Sequence, residues 1–164
     1  LPAPLLPPIA YPDNPLHPNR VNFNSRLRSL YEQELVPRIC RAGDDNQYGS
    51  SAVCDVSCLQ ALSRRVHFGK FVAESKRRQE PERFDALLKQ PDDEPLMAAI
   101  THVEVEEGVV ERVRRKAATY LRELRQSGER NAPAAEDLAQ IYRTIVIPLN
   151  KQVQVAYLRA TRIG

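Results

Sequence analysis

Proline placement limits the fold of this chain more than any other feature. Seven of the 13 prolines lie within residues 1–20. Proline lacks a backbone N–H donor and clashes with the preceding turn of a helix, so a regular helix cannot form there. Residues 1–20 are therefore predicted to form an extended, proline-rich lead-in, and residues 21–164 a helical domain. The long proline-free segment 51–78 leaves room for a continuous helix.

Apolar residues recur at steps of three and four after the lead-in, which is the spacing of amphipathic helices. No segment shows the sustained alternation of a strand, so the predicted fold class is all-α, a helical bundle. Pro37 and Pro148 are expected to bend their helices, and Ser50 or Ser51 to cap one. The four main helices are predicted at 24–41, 51–78, 103–126 and 134–162, with short helices at 82–90 and 94–101.

Two of the predicted apolar stripes define faces that should be buried. In the second main helix the stripe contains Val56, Leu59, Leu62 and Val66. In the third main helix it contains Val105, Val109, Val113, Ala117, Tyr120 and Leu124.

Length and composition exclude several classes of protein. The 164 residues suit one domain, and no apolar run approaches the roughly 20 residues needed to cross a bilayer. The net charge of +3 does not demand a polyanionic partner, although a small anionic ligand fits it. Cys40, Cys54 and Cys58 contain no C-x-x-C pair, so free thiols and no metal site are expected. The sequence does not distinguish the cytoplasm, a plastid or the exterior of the cell.

The second main helix carries the residues best suited to binding an anion. Arg65 and Lys76 are eleven residues apart, which places them within about 20° of one another around a helix and roughly 16 Å apart along it. Gly69 lies between them on that face, and a glycine inside a helix costs about 1 kcal/mol relative to alanine. One explanation is room for a ligand to approach the backbone. The simpler explanation is that the two charges are solvated and Gly69 is a helix-packing contact.

Polar residues in the last two long helices allow similar alternatives. Asn150 and Gln154 are four residues apart and therefore adjacent, either as donors into the bundle or as an ordinary polar face. Glu106 lies in the first turn of its helix, where a carboxylate also suits the helix dipole. His67 and His102 lack ligand spacing. The chain contains no phosphate-binding glycine loop and no nucleophile motif.

Two basic runs, 76–78 and 112–116, raise the alternative of a helical nucleic-acid binder. Acidic residues lie close to both runs and aromatic residues make up only 6% of the chain, so a solvated helix face is favoured.

Extended segments of this chain resemble the all-helical chorismate mutases of fungi and plants. The resemblance runs from about residue 10 to the end, and the helix that carries Arg65 and Lys76 is its most specific part. The matching segments are Leu16-His17-Pro18, Val21-Asn22-Phe23-Asn24, Tyr48-Gly49-Ser50, 58–76 (CLQALSRRVHFGKFVAESK), Val105-Glu106-Glu107 and 147–158 (IPLNKQVQVAYL).

The resemblance implies an isomerase that converts chorismate to prephenate, a [3,3]-rearrangement in phenylalanine and tyrosine biosynthesis. The reaction needs no cofactor and no covalent intermediate. By family position Arg65 binds a substrate carboxylate, and Lys76 donates to a carboxylate and to the ether oxygen. Glu106 accepts from the ring hydroxyl, and Gln154 is the second donor to the ether oxygen.

The remaining implied residues are less closely matched to the family. Asn150 stands where the family often has threonine and His102 where yeast-like members have asparagine; both are expected to contact substrate, as is Gly69. Gly49 and Ser50 match a region that binds tryptophan or tyrosine in regulated relatives, and a weak response or none is expected here. A homodimer is also implied.

About the first third of the family's sequence, with a long bundle helix and a further substrate-binding arginine, has no counterpart in this chain. A bundle without that helix would expose an apolar groove. We expect either a fragment of a longer enzyme, or a short form in which another subunit or the lead-in covers this groove. If nothing replaces that arginine, activity should fall by orders of magnitude. The alternative function is a catalytically impaired homologue that acts as a protein-binding helical module.

Overall fold

The computed structural model describes residues 14–44, 46–126 and 133–161, and it is helical without any strand over these residues. The predicted all-α class is therefore confirmed. Residues 1–13 of the predicted lead-in lie outside the described residues, as do residues 128–132 of the loop before the last helix and the predicted helix end at 162.

Seven helices, numbered here in chain order, make up the described part of the chain. Helix α1 is a continuous run of Asn24–Leu30, a wide π turn at Tyr31–Leu35, and Val36–Ile39. Helices α2 to α6 are Tyr48–His67, Gly69–Gln79, Pro81–Lys89, Glu94–Ile100 and Val103–Gln126. Helix α7 is Ala135–Ile141, a π turn at Tyr142–Val146, and Ile147–Ala160.

The predicted second main helix is divided in two. It begins at Tyr48, so Ser50 and Ser51 lie inside its first turn and the predicted serine cap is wrong. A turn at Phe68 separates α2 from α3, and α3 ends at Gln79. Glu80 leaves the helical region with φ −131° and ψ 60°, because the residue before a proline is disfavoured there.

Both prolines inside long helices follow a π turn. Pro37 is the second residue after the π turn of α1, and Pro148 is the second residue after that of α7. A proline ring clashes with the carbonyl four residues earlier, and a wider turn at that point relieves the clash. The predicted bends therefore take the form of locally widened helix.

Helix α7 is the element around which the others pack, and it contributes to both apolar clusters. The first cluster joins α1, the end of α2 and α7 as far as Val153, through residues such as Leu27, Val66 and Ile145. The second joins α3, α4, α5 and the last part of α7, through residues such as Phe84 and Leu158. The two clusters meet along α7 at Leu149–Val155, opposite the turn at Phe68.

Among the described residues, three ion pairs connect α6 to α7. Glu136 pairs with Arg114, and Arg143 pairs with Glu107. Lys151 pairs with Glu106 at 3.2 Å. The first two pairs are largely solvent-exposed, whereas both side chains of the third are about three quarters buried, with exposures of 20% and 27%.

The predicted apolar stripe of α6 is only partly buried. Val105 and Tyr120 are exposed at 63% and 61%, whereas Val110, Ala117 and Leu121 are the buried apolar residues of this helix. In α2, Val66 is buried but Val56 is 53% exposed. Helical spacing located α6 correctly but rotated its buried face by about one residue.

One face of α2 and α3 holds the chain that leads into α1. His67 Nε2 accepts from the N–H of Phe23 at 2.9 Å. Lys70 Nζ donates to the Val21 carbonyl at 2.6 Å and to Asn19 Oδ1 at 2.8 Å. Further along, Arg78 donates to the carbonyl of Pro15 at 2.6 Å. These side chains replace the backbone hydrogen bonds that an irregular segment lacks.

The buried carboxylate of Glu74 belongs to the same face and is only 4% exposed. It accepts from Arg78 Nε at 2.7 Å and from the Tyr157 hydroxyl at 2.9 Å, and that hydroxyl accepts from the N–H of His17 at 3.0 Å. Burial alone raises the pKa of the Glu74 carboxyl. The hydrogen bonds from Arg78 and Tyr157, together with the attraction of nearby positive charge, outweigh burial and hold the pKa below its ordinary value.

Within the described part of the chain, no helix combines the length and the apolar character that crossing a membrane requires.

Glu74→Gln is expected to lower the free energy of unfolding near neutral pH by about 1–3 kcal/mol, because a charge-assisted buried pair is lost. It should also make the free energy of unfolding depend less steeply on pH in the acid range. Since the folded-state pKa of Glu74 is lowered, its stabilisation is present above the ordinary carboxyl pKa and is lost as pH falls through the folded-state value. Urea unfolding across the acid range measures this. Exposed Glu82→Gln is the matched control, and equal slopes for wild type and Glu74→Gln would refute the assignment.

Candidate functional site

A cavity of ≈ 460 Å³ lies where α2 and α3 meet α6 and α7. Its walls combine charged groups, two amides and apolar side chains. The lining residues are Arg65, Phe68, Val72, Lys76, Ile100, His102, Val105, Glu106, Val109, Tyr142, Val146, Ile147, Asn150, Lys151 and Gln154. The structure therefore brings together in one cavity all four predicted catalytic residues and two of the predicted substrate contacts, Asn150 and His102.

Arg65 supplies a cation from the last turn of α2. Its side chain is exposed and makes no hydrogen bond or ion pair with any other described residue. A guanidinium that lines a cavity without an internal partner is available to a carboxylate, which it can bind through two parallel hydrogen bonds.

Lys76 supplies a second cation from α3 and is half-buried. Its ammonium donates to the Ile100 carbonyl at the end of α5, which uses one of its three donors. Burial lowers the pKa of Lys76. The neighbouring Glu106 carboxylate opposes that effect, and the Lys151 ammonium adds to it. The cavity wall therefore holds a cation that a bound anion would stabilise.

Glu106 and Lys151 form the ion pair between α6 and α7 inside this cavity. Lys151 Nζ lies 3.2 Å from Oε1 and 3.4 Å from Oε2 of Glu106. Lys151 was missed by sequence reasoning, because helical spacing gives no signal for a partner 45 residues earlier in the chain. With Arg65 and Lys76 it leaves the cavity with three cations against one carboxylate.

Asn150 and Gln154 are joined by a hydrogen bond from Gln154 Nε2 to Asn150 Oδ1 at 2.8 Å. The Nδ2 group of Asn150 donates to the carbonyls of Arg65 at 3.2 Å and Val66 at 3.0 Å, at the end of α2. Gln154 is only 4% exposed. The alternative that these residues form an ordinary polar surface is therefore wrong.

Gly69 begins α3 and packs against Asn150. A Cβ placed on Gly69 would lie 2.7 Å from the backbone oxygen of Asn150 and 3.0 Å from its Nδ2. Gly69 is also absent from the cavity lining. The expectation that this glycine leaves room for a ligand is wrong, because helix α7 occupies that space. Helix packing explains the residue.

His102, Gly49 and Ser50 are placed at the periphery. His102 lines the cavity at the entry to α6, is exposed, and accepts a hydrogen bond from the N–H of Glu106 through its carbonyl. Gly49 and Ser50 are exposed in the first turn of α2, which places Gly49 about 24 Å along the helix from Arg65.

Apolar side chains form the rest of the cavity and part of its rim. Phe68 is 58% exposed, and its ring centroid lies 5.4 Å from that of Phe71. Val105 on the opposite wall is also exposed. Across the described ranges, no three His, Cys, Asp or Glu side chains are grouped so that they could hold a metal ion.

Comparison with known proteins identifies similar sequences of one type. The family model for chorismate mutase type II matches residues 47–155. Chorismate mutase 1, chloroplastic, of Petunia hybrida is 43% identical over 168 aligned residues, which cover 96% of this chain and 51% of that protein. The chorismate mutase of Emericella nidulans is 46% identical over 170 aligned residues, covering 96% of this chain and 62% of that protein.

A solved structure is similar in fold as well as in sequence. The crystal structure of AtCM1 with tyrosine bound in its allosteric site has a TM-score of 0.82 and 40% identity to this chain. The match covers 97% of this chain and 64% of that one. The chain thus spans 51–64% of the length of these three relatives.

Gly69→Ala is expected to destabilise the chain by about 1–3 kcal/mol, because the new methyl group would meet backbone of α7 that cannot move alone. Gly108→Ala is the matched control. Gly108 is exposed within α6, and a methyl group at this position would meet no atom within 4 Å apart from its own stretch of helix, so alanine should stabilise by about 0.5–1 kcal/mol through helix propensity. Denaturant unfolding measures both, and equal shifts in the two variants would contradict the packing assignment.

Proposed function

The chain belongs to the chorismate mutase type II family, and from this membership we propose that it catalyses the rearrangement of chorismate to prephenate. The observation that carries the proposal is the cavity with three cations, one carboxylate and a buried amide pair. The proposed substrate is a dicarboxylate whose ether oxygen gains negative charge as its bond breaks. An excess of fixed cations complements both features.

In this proposal the protein acts by holding one conformer and by placing donors at the developing charge. Arg65 binds a carboxylate, since its guanidinium has no partner among the described residues. Lys76 donates to a carboxylate and to the ether oxygen, because two of its donors remain after the bond to Ile100. No covalent step is required, so catalysis comes from proximity and electrostatic stabilisation.

Glu106 and Gln154 complete the proposed set. Glu106 accepts from the ring hydroxyl of the substrate, and Lys151 neutralises its charge so that the carboxylate does not repel a dianion. Gln154 Nε2 has a second N–H beyond the one given to Asn150, and this donor serves the ether oxygen. A neutral amide donates without first taking up a proton.

His102 lies at the cavity edge and is proposed as a secondary contact with substrate.

Regulation, assembly and compartment form the rest of the proposal. The solved AtCM1 structure has tyrosine in an allosteric site, which supports an aromatic amino acid effector. Binding of tryptophan or tyrosine near Gly49 and Ser50, with a weak response or none, stays a prediction, as does the homodimer. Cytoplasm or plastid is proposed as the compartment, the Petunia relative being chloroplastic by name. The protein-binding alternative is not favoured by these similarities.

Arg65→Ala is expected to reduce kcat/KM for chorismate by roughly 10²–10³-fold, the effect of losing one charge-stabilising donor. Arg64→Ala is the matched control, because Arg64 is an exposed arginine next in sequence that does not line this cavity. It should stay within about twofold of wild type. Steady-state turnover of purified chain measures both. Equal activity of Arg65→Ala and wild type, or no turnover by wild type, would refute the proposed function.

The pH dependence of kcat/KM should have no acid limb that requires protonation of Gln154, because this side chain does not titrate. It should fall on the alkaline side as Lys76 loses its proton. Since burial lowers the pKa of Lys76, that limb should lie below the ordinary value of 10.5. Lys76→Arg should move the limb to higher pH at reduced rate. A rate that rises steeply toward low pH in folded protein would contradict the assignment of Gln154.

A further inference from the structure

We infer that Asn150 is a positioning residue that fixes the orientation of the Gln154 amide, and this inference rests on the proposed function. Asn150 was expected to contact substrate. Its polar atoms are instead used within the protein: two donor bonds from Nδ2 and one acceptor bond at Oδ1. An amide NH₂ group has two donors, so none remains for a ligand.

The orientation of Asn150 itself is determined by main-chain carbonyls. Nδ2 lies within hydrogen-bond distance of the carbonyls of both Arg65 and Val66. A flipped amide would place Oδ1 against those two acceptors and leave them without this donor. The oxygen of Asn150 therefore faces Gln154 and can only accept.

The orientation of Gln154 follows from this constraint. With an acceptor opposite, its own NH₂ must face Asn150, as the 2.8 Å bond requires. Its Oε1 is buried and has no hydrogen-bond partner among the described residues, which is unfavourable for a polar atom. Because Oε1 forms no hydrogen bond, the bond from Nε2 to Asn150 determines the orientation of the Gln154 amide.

The same asparagine connects Gln154 to the cation at the end of α2. Nδ2 holds the carbonyl of Arg65, and Gly69 has no side chain to keep α7 away from the start of α3. Asn150 therefore holds the backbone of Arg65 and the amide of Gln154 in one arrangement. Loss of Asn150 should impair the donor role of Gln154 without removing any donor that is free to bind substrate.

Asn150→Thr and Asn150→Val test this with two side chains of nearly the same shape. The threonine hydroxyl can donate to a carbonyl and accept from Gln154, whereas the valine methyl group can do neither. Asn150→Thr should therefore keep the properties of Gln154, and Asn150→Val should lose them. Asn150→Ala is the second variant should the valine form not fold.

The first readout needs no substrate. In the ¹⁵N-labelled full chain, the side-chain NH₂ resonance pair of Gln154 is identified by its loss in Gln154→Glu. We expect faster hydrogen exchange and a changed proton shift for this pair in Asn150→Val, and wild-type behaviour in Asn150→Thr. Asn24→Ala is the control. It removes the side chain on α1 that accepts from the Ser63 hydroxyl, and it should leave the Gln154 resonances unchanged. An unchanged pair in Asn150→Val overturns the inference.

The second readout is a pH profile in the Gln154→Glu background. The carboxyl group introduced there can donate to Asn150 only when it is protonated, so Asn150 should raise the pKa of this carboxyl. As a result, kcat/KM should be higher at acidic pH than at neutral pH. Adding Asn150→Val should move that transition to lower pH by roughly 0.5–1 unit, the equivalent of one hydrogen bond. A merely structural role would lower the rate without moving the transition, and that result also overturns the inference.

These outcomes separate the inference from the proposed function. Absence of turnover in the wild-type chain, together with a Gln154 resonance that responds to Asn150→Val, refutes the function and supports the positioning role. Turnover with an unresponsive resonance supports the function and refutes the positioning role.

Discussion

The close approach of α7 to the turn at Phe68 is the contact on which the rest of the structure depends. There the backbone of Asn150 lies against Gly69, and its side chain satisfies two carbonyls at the end of α2. A helix end buried without such a partner is costly. Because the two apolar clusters also meet along this part of α7, one contact positions the core and the cavity together.

The charged side chains of the cavity are only partly removed from water, which limits their cost to stability and leaves them available to a ligand. Lys76 is partly withdrawn from water and compensated by one carbonyl and a neighbouring carboxylate, while Arg65 stays exposed. Desolvating all of these groups would cost more than their mutual attraction returns. The chain instead buries its fully paired carboxylate, Glu74, where it holds the segment before α1.

The helices and several cavity residues could be predicted because they depend on local sequence. Arg65 and Lys76 share a face through helical spacing, and the ends of α4, α5 and α6 follow from prolines and apolar periodicity. Features that depend on a partner distant in sequence were missed or misjudged. Lys151 pairs with a residue 45 positions away, and Gly69 is explained by a helix roughly 80 residues later. The exposure of Val105 depends on how α6 is rotated in the bundle, which spacing alone does not determine.

Because of their π turns, α1 and α7 should tolerate the deletion of one residue at some positions and not at others. Buried residues of α7 follow one another at steps of four, at Ile141, Ile145, Leu149 and Val153. In a regular α-helix such steps drift by about 40° each, so the stripe would wind away from its neighbours. A turn that contains one additional residue offsets much of this drift. Removal of one exposed residue from that turn, such as Arg143, would restore a regular helix while both flanks kept their faces, whereas the same deletion near Leu149 would rotate the core out of contact. Natural gain or loss of single residues in this fold should accordingly concentrate at the two widened turns.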